Sequence, residues 1–139
     1  MKSKRFGMMT ASIAVSFVLM GIGAAEANPA SYTGKIADRK QICMLQDTVQ
    51  AREGLEADYN GKKYYLCCGG CLAAFEGKPA RYRHATDPDD GQLVDKADAP
   101  VYAYQGRAYF FSSHENLAAF AKNPQAYLPN VASVPSKRP

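Results

Sequence analysis

All four cysteines of the chain lie between positions 43 and 71, and their spacing suggests metal chemistry. Three of them are clustered, and the fourth lies well upstream. A short-spaced pair plus a distant cysteine is a common arrangement in metal sites. Because thiolates are soft ligands, such a set favours Cu(I), with Zn(II) as the second choice, over Ca(II) or Mg(II). The predicted metal ligands are Cys43, Cys67, Cys68 and Cys71.

Two other uses of these thiols stay open at this point. An even number of cysteines in an oxidising compartment is also compatible with a pair of disulfides. A thiol–disulfide redox site is less favoured, because Cys67 and Cys71 form a C-x-x-x-C motif and no βαβ pattern surrounds them. Met44, beside Cys43, offers a thioether that would suit Cu(I) as an assisting ligand.

The segment that carries the clustered cysteines is repeated 45 residues further along without them. Tyr59–Tyr82 aligns without a gap with Tyr104–Tyr127, and the identical positions include glycine, tyrosine, phenylalanine and proline. A scaffold copied without its thiols does not need them to fold, so the predicted site belongs to the first copy. The residues opposite Cys43, Cys67, Cys68 and Cys71 are Pro88, Ser112, Ser113 and Asn116.

Each copy predicts a β-hairpin followed by a short helix, which gives an α+β fold of two tandem, treble-clef-like units. Asn60-Gly61 and Gln105-Gly106 lie between β-prone runs, where residues that accept positive φ favour a tight turn. The first helix is expected to start near Gly69. In the second copy, Ser112 is the expected N-cap, with Glu115 completing a capping box.

The predicted elements would bring the thiols together. Cys67 ends a strand and Cys71 lies in the first turn of the helix, so both can point into the strand-to-helix corner. Cys43 would arrive from a preceding turn. Free N–H groups at the helix N-terminus are expected to favour thiolate there.

The N-terminus has the features of a signal peptide. A basic start is followed by an apolar run from about Met8 to Ala25 and by Ala25-Glu26-Ala27, a small-x-small cleavage pattern. A membrane anchor is the alternative, but the run is short and contains glycine and serine. We therefore expect a periplasmic or secreted protein with no stable membrane insertion after cleavage.

The resulting division of the chain has six segments. They are a signal peptide (1–27), an N-terminal linker (28–39), a unit with cysteines (40–84), a turn-rich linker (85–99), a unit without cysteines (100–129) and a disordered tail (130–139).

The motifs resemble those of a known pair of families. Cys43 followed by Tyr-x-Gly-Lys-x-Tyr-Tyr-x-Cys-x-x-x-Cys, ending at Cys71, is similar to the TRASH domain, which is linked to heavy-metal trafficking, resistance and sensing. The second copy, from Tyr104 to Tyr127, resembles the related YHS domain. The resemblance implies that Cys43, Cys67 and Cys71 are metal ligands and that the second copy is structural or binds a partner. The single cysteine at the first turn and the extra Cys68 depart from the family pattern.

The sequence therefore predicts a periplasmic, non-enzymatic protein that binds a heavy metal, with copper favoured, and buffers, delivers or senses it. A metal transporter or a metalloenzyme could receive the ion. A disulfide-stabilised accessory module of an envelope complex and a thiol–disulfide oxidoreductase are the alternatives. A net charge of +4 without a dense basic stripe argues against nucleic-acid binding. No catalytic or organic cofactor-binding residue is predicted, and His84 and His114 are expected to be surface residues.

Overall fold

The computed structural model describes residues 28–128 of the chain. The predicted signal peptide, its cleavage point and the predicted tail from residue 130 onward lie outside these residues. Within residues 28–128, no helix combines the length and the apolar character needed to cross a bilayer.

Short strands and short helices alternate along the chain. The strands are β1 (Gly34–Lys35), β2 (Ile42–Cys43), β3 (Thr48–Val49), β4 (Leu55–Tyr59), β5 (Lys62–Leu66), β6 (His84–Thr86), β7 (Leu93–Asp95), β8 (Val101–Tyr104) and β9 (Arg107–Phe110). The α-helices are α1 (Gly69–Gly77), α2 (Pro79–Tyr82) and α3 (His114–Lys122), and 3-10 turns cover Pro29–Ser31, Arg39–Gln41 and Pro124–Ala126. The mixed α+β class is confirmed.

The two long hairpins form where the sequence predicts them. Asn60 and Gly61 have φ values of 53° and 73°, and Gln105 and Gly106 have values of 50° and 75°. Positive φ at both central residues matches the right-handed twist of the flanking strands. The turns therefore set the antiparallel pairing of β4 with β5 and of β8 with β9.

The helix starts agree with the sequence in the first unit and differ by one residue in the second. Helix α1 begins at Gly69, as expected. The expected N-cap at Ser112 is wrong, because Ser113 has the extended backbone of an N-cap and its Oγ accepts the N–H of Asn116 at 3.1 Å. Ser112 instead bonds to residues of a preceding turn, and this competing interaction explains the shift.

Each unit consists of a short hairpin, a long hairpin and a helix. The first unit contains β2/β3, β4/β5 and α1, and the second contains β6/β7, β8/β9 and α3. Residues 85–99, expected to be a turn-rich linker, contain most of the hairpin β6/β7. Along the chain, hairpin β6/β7 precedes hairpin β8/β9, just as β2/β3 precedes β4/β5.

One sheet joins the two units. Its strand order is β1-β8-β9-β3-β2, so the short hairpin of the first unit pairs with the long hairpin of the second through β3 and β9. The Val49 N–H donates to the Gly106 carbonyl at 2.8 Å beside this pairing. Part of the expected N-terminal linker also joins the sheet, because β1 pairs with β8.

The buried side chains form two clusters. In the first unit the ring centroids of Tyr64 and Phe75 lie 4.8 Å apart, and this cluster extends to Phe110 of the second unit. In the second unit Phe120 packs on Tyr109 at 5.0 Å between centroids. Cys43 and Cys71 belong to the first cluster, so the core of the first unit fixes the backbone around the cysteines.

Candidate metal centre

Three of the four cysteine sulfurs converge in one corner of the first unit. The Sγ atoms of Cys43, Cys67 and Cys71 all lie within 4.8 Å of one another, and those of Cys67 and Cys71 are 3.5 Å apart. Cys43 is 0% exposed, Cys71 is 7% exposed and Cys67 is half-buried. We call these three residues the cysteine corner.

Each sulfur of the cysteine corner comes from a different element. Cys43 ends β2, and its carbonyl accepts the N–H of Asp47 at 2.7 Å, which closes the turn to β3. Cys67 follows the last residue of β5, and Cys71 is the third residue of α1. The short hairpin, the long hairpin and the helix must therefore all be in place before the three sulfurs can meet.

The spacing of the sulfurs suits a single ion. Thiolates bound to one Zn(II) at about 2.3 Å are separated from each other by roughly 4 Å. The sulfurs of the cysteine corner already lie near that separation. Sulfur ligands alone select soft ions such as Cu(I) and Zn(II) and exclude Ca(II) and Mg(II) as partners of this corner.

Burial keeps the Cys67 and Cys71 thiols protonated when no ion is bound. Desolvation, reinforced by the neighbouring Cys43 thiol, raises the pKa of Cys67 to about 11. Desolvation also raises the pKa of Cys71, with the sulfurs of its neighbours adding to the shift. The expectation that the helix N-terminus favours thiolate at Cys67 and Cys71 is therefore wrong, because burial outweighs the helix terminus. Metal binding would release protons from these residues.

Cys68 differs from the other three cysteines. It is exposed, occupies the N-cap position of α1 and is not among the three residues whose sulfurs converge. The backbone N–H of Cys71 lowers the pKa of the Cys68 thiol. Its assignment as a metal ligand remains a prediction, and so does the assisting role of Met44, whose side chain is fully buried in the core. Neither histidine belongs to the converging group: His84 begins β6 and the exposed His114 begins α3.

Gln46 is a contact of the cysteine corner that the sequence interpretation missed. It lies in the turn between β2 and β3, and its Nε2 donates to the sulfur of Cys71 at 3.7 Å. No sequence motif marks a glutamine as a hydrogen-bond donor to a cysteine. Its position in the turn after Cys43 is the signal that could have found it.

The second unit has an equivalent corner, formed by the β6/β7 turn, the end of β9 and the start of α3. Its turn closes as in the first unit, because the Gly91 N–H donates to the Asp87 carbonyl at 3.0 Å. The donors Asp47 and Gly91 both have positive φ, 54° and 74°. Asp87 therefore takes the place of Cys43. The gapless sequence alignment instead places Pro88 opposite Cys43. It is wrong by one residue because the second unit has one more residue than the first between its turn and its long hairpin.

The second corner is filled by hydrogen bonds. Asp87 is 1% exposed, and its Oδ2 accepts the Ser112 N–H at 2.6 Å and the Asn116 side-chain amide at 3.0 Å. Asp90 accepts the Ser112 hydroxyl at 2.6 Å and the Asn116 amide at 2.8 Å. The Ser112 hydroxyl lowers the pKa of Asp90. We call Asp87, Asp90, Ser112 and Asn116 the polar corner.

Comparison with known families agrees with the two-unit architecture. The model of the YHS domain matches the chain twice, over residues 47–86 and 85–131. The chain belongs to the YHS-domain family. No curated protein and no solved structure matches it. YHS domains are associated with heavy-metal binding, which agrees with the converging thiols of the first unit. The first matched segment begins after Cys43, so the third sulfur of the cysteine corner comes from outside it.

Proposed function

We propose that this YHS-family protein is an exported, non-enzymatic carrier of a soft metal ion, with Cu(I) as the favoured cargo and Zn(II) as the second choice. Cys43, Cys67 and Cys71 would hold the ion, with Cys68 or Met44 assisting. The protein would buffer, deliver or sense the ion in the periplasm and pass it to a transporter or a metalloenzyme by thiolate exchange.

The observation that carries this proposal is the convergence of three sulfurs within 4.8 Å. Three thiolates satisfy the coordination of Cu(I), whereas Zn(II) prefers a fourth ligand. The polar corner adds support, because it fills the same position in the fold without any thiol. The signal-peptide features of residues 1–27 support an exported protein.

Metal analysis of protein purified without oxygen tests the proposal. The full chain, produced with its own leader, should carry close to one Cu(I) per molecule. A Cys67→Ser/Cys71→Asn variant should lose the ion and stay folded, because Ser112 and Asn116 fit the same positions of the second unit. Circular dichroism of the variant checks folding. A folded variant that still holds the ion contradicts the proposal.

Titration of free thiols separates the proposal from the disulfide alternative. The 3.5 Å separation of the Cys67 and Cys71 sulfurs would allow a disulfide between them after a small movement. A metal carrier should show four reactive thiols once the ion is removed by a chelator. Blocked thiols in protein that contains no metal would favour the disulfide-stabilised module. Localisation is tested separately by fusing residues 1–27 to an export reporter.

A further inference from the structure

A lysine from the second unit is buried against the turn that carries Cys43. Lys96 follows β7 and is 4% exposed. Its ammonium donates to the Met44 carbonyl at 2.7 Å, pairs with the Asp47 carboxylate at 2.6 Å and lies 5.6 Å from the centroid of the Phe110 ring. A buried ammonium is costly unless it is paired and hydrogen-bonded. These contacts supply that compensation.

The groups that Lys96 holds belong to the turn between β2 and β3. Met44 follows Cys43 directly, and Asp47 closes the turn onto the Cys43 carbonyl. The second unit contacts this turn again through the Ala108 N–H, which donates to the Asp47 carbonyl at 2.8 Å. The position of Cys43 therefore depends on contacts from the other unit.

The backbone of Lys96 is itself fixed. Its N–H donates to the Arg83 carbonyl at 2.8 Å, and its carbonyl accepts the Arg39 guanidinium at 3.0 Å. Arg39 lies just before β2. The Arg39 side chain therefore binds the backbone of the second unit, and the Lys96 side chain binds the backbone of the first. The ammonium is thus held in a defined place relative to the Cys43 turn.

Within residues 28–128, no lysine is buried against the equivalent turn of the second unit. Gly91 stands where the first unit has Asp47, so the carboxylate that pairs with Lys96 has no counterpart at that position. Arg52, at the position equivalent to Lys96, is exposed. In that unit Asp87 holds the turn through its bonds to Ser112 and Asn116. A cysteine side chain forms much weaker hydrogen bonds than a carboxylate. Cys43 therefore cannot hold the β2/β3 turn as Asp87 holds the β6/β7 turn, and other residues must do so.

We propose that Lys96 is the positioning residue of Cys43, so that the metal site of the first unit is completed by the second unit. This inference rests on the proposed function and goes further, because it assigns the second unit a role in metal affinity. Residues that hold metal ligands in place typically contribute tenfold to a hundredfold in metal affinity. Loss of the Lys96 contacts should therefore weaken binding about tenfold or more.

A double-mutant cycle between Lys96 and Cys43 tests the inference. The full chain and its Lys96→Met, Cys43→Ser and doubly substituted variants are compared for Cu(I) affinity by competition with a chromogenic Cu(I) chelator. Lys96→Met should weaken binding about tenfold or more when Cys43 is present and have no effect in the Cys43→Ser background. Urea unfolding of the metal-free proteins should show the same effect of Lys96→Met in both backgrounds.

The cycle distinguishes positioning from general destabilisation. An equal loss of affinity in both backgrounds, or no loss in either, overturns the inference. Lys62→Met is the matched control, because Lys62 also pairs across the units, with Asp95 at 3.2 Å and with Asp98, but does not contact the Cys43 turn. Its Cu(I) affinity should equal that of the unmodified chain.

A charge-neutral variant covers the case in which Lys96→Met does not fold. The variant Asp47→Asn/Lys96→Met removes both charges and so leaves no unpaired buried carboxylate. This double substitution then takes the place of Lys96→Met in the double-mutant cycle. If this variant is folded and binds Cu(I) as tightly as the unmodified chain, the inference is overturned. A normal chain that binds neither Cu(I) nor Zn(II) overturns the proposed function together with it, whereas strong binding with no coupling overturns the inference alone.

Discussion

The cysteine corner and the polar corner occupy equivalent places in their units, but different interactions fill them. In the polar corner the buried carboxylate of Asp87 is bound by the backbone of Ser112 and the side chain of Asn116. In the cysteine corner the equivalent positions carry sulfurs that lie against one another, with Gln46 as a weak donor to Cys71. In the second unit, hydrogen bonds within the chain therefore occupy the place that the thiols occupy in the first.

The difference indicates why thiols are found in one corner and not in the other. A carboxylate surrounded by N–H and O–H donors stabilises the fold directly. Three cysteine side chains make weak hydrogen bonds and contribute mainly as small apolar groups. The first unit therefore gives up hydrogen bonds that the second retains, and a bound soft ion would compensate for them. Substitutions that exchange features of the two corners test this explanation.

Transfer of the thiols to the second unit should have the largest effect. The variant Asp87→Cys/Ser112→Cys/Asn116→Cys places sulfurs at the three positions equivalent to those of the cysteine corner. Because the backbone arrangement is shared, we expect the variant to bind a second Cu(I) ion. Anaerobic titration should show the metal-to-protein ratio rise from one to two.

A matched alanine variant controls for the loss of the polar corner. Asp87→Ala/Ser112→Ala/Asn116→Ala removes the same hydrogen bonds without adding thiols and should keep a ratio of one. If the cysteine variant is folded and its ratio also stays at one, the two corners are not equivalent as metal sites.

The sequence predicted the elements that depend on local chemistry. Asn60-Gly61 marks a turn because both residues tolerate positive φ, and the observed φ values agree. The start of α1 at Gly69 follows from the same local reasoning. The convergence of Cys43 with Cys67 and Cys71 was predicted from thiolate chemistry, since soft ligands of one site must meet.

The sequence did not reveal interactions that depend on distant contacts. Asp87 lies in a run rich in aspartate, proline and glycine, which is typical of a solvent-exposed turn, and only the tertiary fold buries it. Lysine is rarely buried, so no local pattern predicts the contacts of Lys96. Strands β2 and β3 have two residues each, too short for a periodic signal, so the pairing that joins the units was not predictable.

Loss of the Asp87 carboxylate should destabilise the protein without affecting the metal. In Asp87→Ala, the backbone N–H groups of Ser112 and Asp89 lose their side-chain acceptor, and the Asn116 amide keeps only its bonds to Asp90 and Ser112. A donor shielded from water without a partner is costly. We expect the free energy of unfolding to fall by about 3 kcal/mol, as measured by urea denaturation of the metal-free protein. Cu(I) content should stay the same. A marked loss of Cu(I) from the folded variant would show that the polar corner also supports metal binding.

Thiol labelling should distinguish Cys68 from the cysteine corner. Cys68 is exposed and has a lowered pKa, whereas burial raises the pKa of Cys67 to about 11. A larger thiolate fraction at neutral pH makes a cysteine more reactive. In the metal-free protein, we expect iodoacetamide to modify Cys68 at least about tenfold faster than Cys67, as followed by peptide mass spectrometry. Equal rates would indicate that Cys67 is more accessible than its half-buried position implies.

Exchange of the N-cap residues should have the smallest effect. Cys68 and Ser113 are equivalent N-caps, with φ/ψ of −158°/168° and −145°/163°. Ser113 accepts the Asn116 N–H, and a thiol is a weaker acceptor, so Ser113→Cys should lower the free energy of unfolding by up to about 1 kcal/mol. Cys68→Ser should raise it, because serine is the better cap. Urea denaturation of the metal-free variants measures both changes. If Cys68→Ser instead lowers stability, the Cys68 thiol makes contacts in the first unit that Ser113 does not make in the second, and the two caps are not interchangeable.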